Sequence, residues 1–324
     1  MCRKKLSHAM ATQKTTKLCL KVTYVVWLVL AKGFRWICNK TSPGKDQIHY
    51  SMLSQMPPAG KHALLDLYNK FWKSGKYPED WKDYIVIPIL KSNKPPDECS
   101  SYRPIALASC VMKTMERMIK NRMEWWLDSK EILPKSQYGF RKGKSVQHNL
   151  TQLVTDIQLS LTIDKTVLAL FIDITSAYDN VQIPILYNKM LDIGFPQQFA
   201  ANIISLISER KIYLRINDEI VGPQTSRIGL PQGGILSPLL YTIYAIEMEN
   251  VIDPATRMSQ YADDVCFYSI NNDISQYTDS LNASVIALQK YLNEIGLAIS
   301  ESKSVLCPFT WKRRLPFQES VRLG

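Results

Sequence analysis

What this chain lacks narrows its function first. Its seven cysteines (2, 19, 38, 99, 110, 266 and 307) are odd in number, scattered, and nowhere form a C-x-x-C pair. That excludes a disulfide framework and a cysteine zinc site and suits a reducing, intracellular compartment, nucleus or cytoplasm. Only four histidines are present, with no H-E-x-x-H. No apolar run reaches the roughly twenty residues of a membrane span. The longest candidate, VTYVVWLVLA at 22–31, is about half that length. Acidic residues are missing from 1–45, which carries ten Lys or Arg. The remainder holds 30 basic against 29 acidic residues, so a net charge of +11 belongs almost wholly to residues 1–45. Bulk charge therefore identifies no partner for the body. An electrostatic footprint must be local, as in Lys135, Arg141, Lys142 and Lys144. The leader, 1–39, reads equally as a signal peptide, a transit peptide or a misread coding start.

What is present is a long globular pattern, 46% hydrophobic and 21% charged. KHALLDLYNKFWKSG has amphipathic helical spacing closed by Gly75. DYIVIPIL (83–90) reads as a strand. ASCVMKTMERMIKNRMEWWL (108–127) reads as a helix whose Trp125 and Trp126 are expected in the core. TVLALFIDIT (166–175) is nearly continuously apolar, as a strand covered on both faces should be. Helices are predicted over 183–195 and 198–210, a hairpin over KIYLRIN and IVGPQTS, and a helix capped by Ser237 and Pro238. Helix and strand alternate without strict βαβ order, so an α+β architecture is expected.

Two features carry chemistry. Asp173 is the single charge in the apolar strand, expensive there unless paired, metal-bound or past the strand end. Asp263 and Asp264 sit back to back in SQYADDVCFYS, which alone reads as two strands joined by an ordinary surface turn. Should that hairpin pair beside 166–173, three carboxylates meet at one sheet edge, an arrangement suited to two Mg²⁺ ions. Oxygen donors without Cys or His favour Mg²⁺ or Mn²⁺ over zinc. GFRKGKS is no P-loop: three residues separate Gly139 from Gly143 where four are needed.

ALFIDITSAYDNV, GLPQGGILSPLLY and YADD occur in that order, after SYRPIAL and QYGFRKGKS and before GLAISESKS. Together they resemble the reverse transcriptases of non-LTR, LINE-like retrotransposons, over roughly 40–306. The resemblance implies a right-hand polymerase fold, with an approach segment and fingers over 40–160 and a palm over 161–306. Residues 307–324 would begin a primer grip, with the thumb truncated or absent. It implies Asp173, Asp263 and Asp264 as catalytic and metal-holding carboxylates, with the Ile174 carbonyl an extra ligand. Tyr178 would exclude ribonucleotides. Lys91, Arg103, Gln232, Gly233 and Lys303 would contact the nucleotide, and Gly139, Phe140 and Arg141 the template. Departures occur at GKSVQ and SPGKDQI, peripheral to the carboxylates. The implied partners are an RNA template, a DNA primer and deoxynucleoside triphosphates, with endonuclease and thumb elsewhere in a parent element. The competing expectations are an inactive remnant that at most binds nucleic acid, and another palm polymerase such as an RNA-dependent RNA polymerase or an intron-maturase relative.

Overall fold

The computed structural model describes residues 42–271 and 274–312, apart from the side chains of 274–278. The 1–39 leader and the 313–324 part of the C-terminal segment lie outside the described residues. The described residues form two compact units, each assembled from separate stretches: 42–126, 190–227 and 231–236 in one, 127–189, 228–230, 237–271 and 274–312 in the other.

In the first unit, helices α1 (Tyr50–Gln55) and α2 (Pro58–Ser74) precede strands β1 (Asp83–Leu90) and β2 (Tyr102–Leu107). Left-handed Gly75 closes α2, its N–H donating to the Phe71 carbonyl at 2.9 Å, as the sequence led us to expect. β1 and β2 pair antiparallel. β1 pairs in parallel with β4 (Arg210–Ile216), which forms the expected hairpin with β5 (Glu219–Ser226). The sheet order is β2-β1-β4-β5, and β5 is an exposed edge. The long helix α3 (Cys110–Ser129) buries Met112, Met115, Ile119, Met123 and Leu127. Its two tryptophans do not share that fate. Trp126 stacks against Phe195, but Trp125 is 50% exposed beneath the Arg122 guanidinium, 4.5 Å from its ring. Adjacent positions on a helix point about 100° apart, so a doublet at the rim of the apolar face splits between core and solvent. The cation over the ring is what keeps Trp125 partly covered.

In the second unit, α4 (Val146–Thr162) leads into β3 (Thr166–Ile174). Strands β6 (Arg257–Tyr261) and β7 (Asp264–Asn271) form a hairpin, and β8 (Ile299–Phe309) completes a sheet of order β6-β7-β3-β8. β3 is thus interior and antiparallel to both neighbours. Val167 and Ala169 pack with Leu153 and Ile157 of α4 and with Cys266 and Tyr268 of β7. Leu168, Leu170 and Ile172 are buried on the opposite side of the strand, which is why its sequence is continuously apolar. Helix α5 (Ile183–Asp192) and, in the first unit, α6 (Gln197–Ile207) each stop three residues short of the predicted limits. The 237–252 helix breaks into α7 (Ser237–Tyr244) and the short α8 (Met248–Val251); the remaining helix is α9 (Ile274–Glu294). The fold is a mixed α/β arrangement with two four-stranded sheets.

A core this dense sets a clear stability contrast. Leu168→Ala, at a fully buried site in β3, should cost about 2–5 kcal/mol in chemical unfolding. Ile286→Ala, 64% exposed on α9, should stay within about 0.5 kcal/mol.

Candidate active site

Pairing of Ile172 with Val265 places Asp173, the next residue of β3, at the sheet end where β7 begins with Asp264. The β6–β7 hairpin therefore does flank β3, and the three carboxylates occupy one end of one sheet. Tyr261 pairs with Asp264, leaving Ala262 and Asp263 as a two-residue turn. Ala262 has φ +61° while Asp263 does not take a positive φ, a pattern whose first central position normally goes to glycine. Holding an alanine there costs about 1–2 kcal/mol, so neighbouring groups must impose it.

The electrostatics at this end are those of uncompensated like charge. Burial, then repulsion from Asp264 and Asp173, pushes the Asp263 carboxyl above the usual range, against an opposing bond from its own backbone N–H. Burial and the Asp173 charge push Asp264 up as well. Among the described residues Lys303 answers them, its Nζ 3.0 Å from Asp173 Oδ2. A bulge delivers it. Phe171 pairs with Val305 but Asp173 pairs with Ser300, so residues 301–304 of β8 face the single residue Ile172 and the strand bulges there. Ser304 Oγ pins the bulge, donating to the Ser300 carbonyl at 2.8 Å and accepting from the Asp173 N–H at 3.4 Å. Bulges commonly re-aim a side chain in this way. Ile174 follows in the ladder opposite Ile299. Among the described residues no three His, Cys, Asp or Glu side chains are gathered at metal-ligating distance, and the Asp173 carboxylate is paired with Lys303. The donor set nonetheless fits a hard divalent cation, being all oxygen and in excess of negative charge.

Tyr178 stands beside this cluster. Its ring stacks on Tyr241 of α7, centroids 5.0 Å apart and planes 19° from parallel. Burial and the charge of Asp263 both raise its phenol's pKa. Its backbone is fixed because the Tyr178 carbonyl accepts from the Leu230 N–H and that of Val181 from the Gly229 N–H, both at 2.7 Å.

Gly139 and Arg141 turn out to be structurally engaged. The Arg141 guanidinium donates to the Pro134 carbonyl at 2.7 Å and lies 4.0 Å from Asp128. Phe140 is 45% exposed. Gly139 abuts the Ala262–Asp263 turn so closely that a Cβ there would lie 2.3 Å from the Ala262 nitrogen. The residue that sequence reasoning passed over is Gln137, two positions earlier. It is 2% exposed, and its carboxamide is bonded to both the N–H and the C=O of Ala262.

The remaining expected residues lie in the first unit. Lys91 Nζ donates to the Ser100 carbonyl at 2.7 Å and so clasps the 91–101 loop, while its N–H donates to the Ser101 carbonyl. Ile89 pairs with Arg103, so by alternation Lys91 and Arg103 lie on the same face of the β1–β2 ribbon. Gln232 and Gly233 are fastened to β2. The Ala106 N–H donates to the Gln232 carbonyl at 2.8 Å, and Gly233, at φ +112°, would place a Cβ 2.9 Å from the Ala106 oxygen. Farther along, the Ile235 N–H donates to Glu116 at 3.2 Å. Glu116, on α3, is 1% exposed. Burial raises its carboxyl to about 7, opposed by the Ile235 bond and by Lys113. Nothing in the helical pattern distinguishes this glutamate from a solvated one, which is why the sequence did not reveal it.

Residues 89–316 match the family model described as reverse transcriptase (RNA-dependent DNA polymerase). The protein named "Probable RNA-directed DNA polymerase from transposon BS" of Drosophila melanogaster is 28% identical over 290 residues, 88% of this chain and 32% of that protein. The RNA-directed DNA polymerase from mobile element jockey of the same species is 27% identical over 270 residues, 82% of this chain and 29% of the relative. Its Drosophila funebris counterpart is 28% identical over 280 residues, 84% and 30%. The chain thus spans about a third of the length of these relatives.

Glu116 sets a pH test. Its folded value of about 7 lies above its ordinary 4.5, so the native state holds the proton more tightly. Its stability contribution is complete below pH 4.5 and is lost as pH rises through about 7. Glu116→Gln should therefore remove a downward slope in stability between pH 5 and 8, read as the difference in unfolding midpoint between the two proteins. An unchanged slope would mean that Glu116 does not titrate there.

Proposed function

The chain belongs to the reverse transcriptase (RNA-dependent DNA polymerase) family, and from that premise we propose that it extends a DNA primer on an RNA template with deoxynucleoside triphosphates. The observation that carries this reading is the convergence of Asp173, Asp263 and Asp264 at one end of the β6-β7-β3-β8 sheet. We assign the segment 40–160 to an approach segment and fingers, and 161–306 to the palm.

Asp173, Asp263 and Asp264 would hold two Mg²⁺ ions, joined by the Ile174 carbonyl. When bound, such a pair lowers the pKa of a primer 3′-hydroxyl and steadies the departing pyrophosphate. The protein's part is to present the carboxylates on the ends of paired strands, where backbone hydrogen bonds fix them, and to keep their charge in excess until it is matched. Lys303, already carried to the Asp173 carboxylate by the β8 bulge, is an ammonium able to hold a proton for the pyrophosphate oxygen. Tyr178 is braced by Tyr241 and cannot swing aside without unstacking, so it suits a steric filter against a 2′-hydroxyl. Arg103, with Lys91, supplies the guanidinium fork and ammonium that a triphosphate needs. Gln232 and Gly233 present backbone to the nucleotide, and Gly139, Phe140 and Arg141 belong to the template side.

Primer extension on an RNA template tests the reading. Asp263→Ala should lower the rate by about 10³-fold or more, several kcal/mol of lost electrostatic stabilisation. Wild-type protein that binds primer–template yet never extends it would instead mark a binding-only remnant. Tyr178→Ala should reduce the preference for deoxynucleotides over ribonucleotides by about 10–200-fold, measured as the ratio of the two kcat/KM values. An unaltered ratio would remove Tyr178 from sugar selection and reopen the case for another palm polymerase.

A further inference from the structure

We propose that Gln137 is a positioning residue for the reaction: its carboxamide clamps the Ala262 peptide groups and so sets where the adjacent Asp263 carboxylate points. The inference rests on the reading of Asp263 as a catalytic carboxylate.

Gln137 spends its whole hydrogen-bonding capacity on this turn and its flank. The Oε1 atom accepts from the Ala262 N–H at 2.9 Å and from the Gly139 N–H at 2.8 Å. The Nε2 atom donates to the Ala262 carbonyl at 3.1 Å and reaches Gln260 Oε1 at 3.5 Å. A planar amide that bonds both the donor and the acceptor of one residue fixes the orientation of that residue's two peptide planes. Here the residue is an alanine in the left-handed region, at φ +61°, which would leave that conformation if released. Asp263 hangs from the second of those planes, so a rotation of Ala262 carries the carboxylate with it.

The clamp is itself built into the sheet. Residues 136–138 run parallel to β6, with the Gln260 N–H donating to Ser136 O and the Tyr138 N–H to Gln260 O, each at 2.9 Å. Ser136 Oγ donates to Glu249 at 2.8 Å and accepts from Gln260 Nε2 at 3.0 Å. Asn149 Nδ2 donates to the Gln260 carbonyl at 3.0 Å. Gly139 lets its backbone touch Ala262 directly. Gln137 is therefore held at both ends of its own backbone and cannot follow a moving turn.

Gln137→Met keeps the volume and the packing but removes the amide, which separates the hydrogen bonds from simple core filling. Gln137→Glu keeps two acceptors, loses the donor to the Ala262 carbonyl and adds charge beside Asp263. Amide hydrogen exchange of 261–264 is read first because it needs no activity. Both variants should lose at least tenfold in protection there while the β7 amides 266–269 keep theirs. In primer extension well below the unfolding midpoint, both should lower kcat by about 100-fold, the scale of a misplaced catalytic group. KM for the deoxynucleotide should stay within about twofold, a split that general loss of structure would not give. Unchanged protection at 261–264, or a Gln137→Met enzyme with wild-type kcat, overturns the proposal. If the wild type itself does not extend a primer, the reading of the site fails, and the exchange result still decides whether the clamp exists.

Discussion

Three carboxylates at one sheet end repel each other, and the second unit is organised around tolerating that repulsion. Asp173 is carried on a strand whose neighbours Val167, Leu168, Ala169, Leu170 and Ile172 are all buried. Burial of each of the larger of these side chains, all but Ala169, is worth about 1.5–3 kcal/mol, enough together to hold a few half-buried charges where they would not otherwise collect. The hairpin carrying Asp263 and Asp264 is locked to β3 through seven successive residue pairs. A one-residue slip would turn every buried side chain to the wrong face, so apolar packing and carboxylate placement are specified by the same register.

Each charged end is then fitted with its own partners. Lys303 meets Asp173 because β8 bulges by three residues opposite Ile172, and Ser304 ties that bulge to the Asp173 backbone. The turn on the other strand is held by a neutral amide. The difference is physically sensible: an ammonium beside Asp263 would compete with any cation drawn to the cluster, whereas Gln137 fixes geometry without altering charge. In the first unit, Glu116 plays a comparable part for the 231–236 loop, accepting the Ile235 N–H. Being a carboxyl, it makes that anchorage sensitive to protons.

Local pattern made much of this visible in advance. The apolar run of β3, the helix closed by Gly75 and the β4–β5 hairpin all declare themselves through spacing and turn chemistry, and ordered motifs singled out Asp173, Asp263 and Tyr178. What stayed hidden depends on contacts far apart in sequence. Trp125 and Trp126 look alike until the neighbours of α3 are known. The β8 bulge is a mismatch between two strands and cannot be seen in either alone. Gln137 drew no attention because its partner, Ala262, is 125 positions away. The interleaving of the two units is hidden for the same reason: β1 pairs in parallel with β4, which follows it by more than a hundred residues.

The interior position of β3 also has a consequence during synthesis. It ends at Ile174, yet its partner β7 begins only at Asp264 and β8 at Ile299. A ribosome adding roughly 5–20 residues per second needs about 5–18 s to supply β7. For that interval an apolar strand emerges with both hydrogen-bonding edges unfilled, a template for pairing with the same strand of a neighbouring nascent chain. Asp173 is the one charge along it, and a charge at a strand end opposes in-register stacking of identical chains. The charge of Asp173 thus bears on the nascent chain as well as on the folded sheet, disfavouring self-pairing of β3 before β7 and β8 arrive.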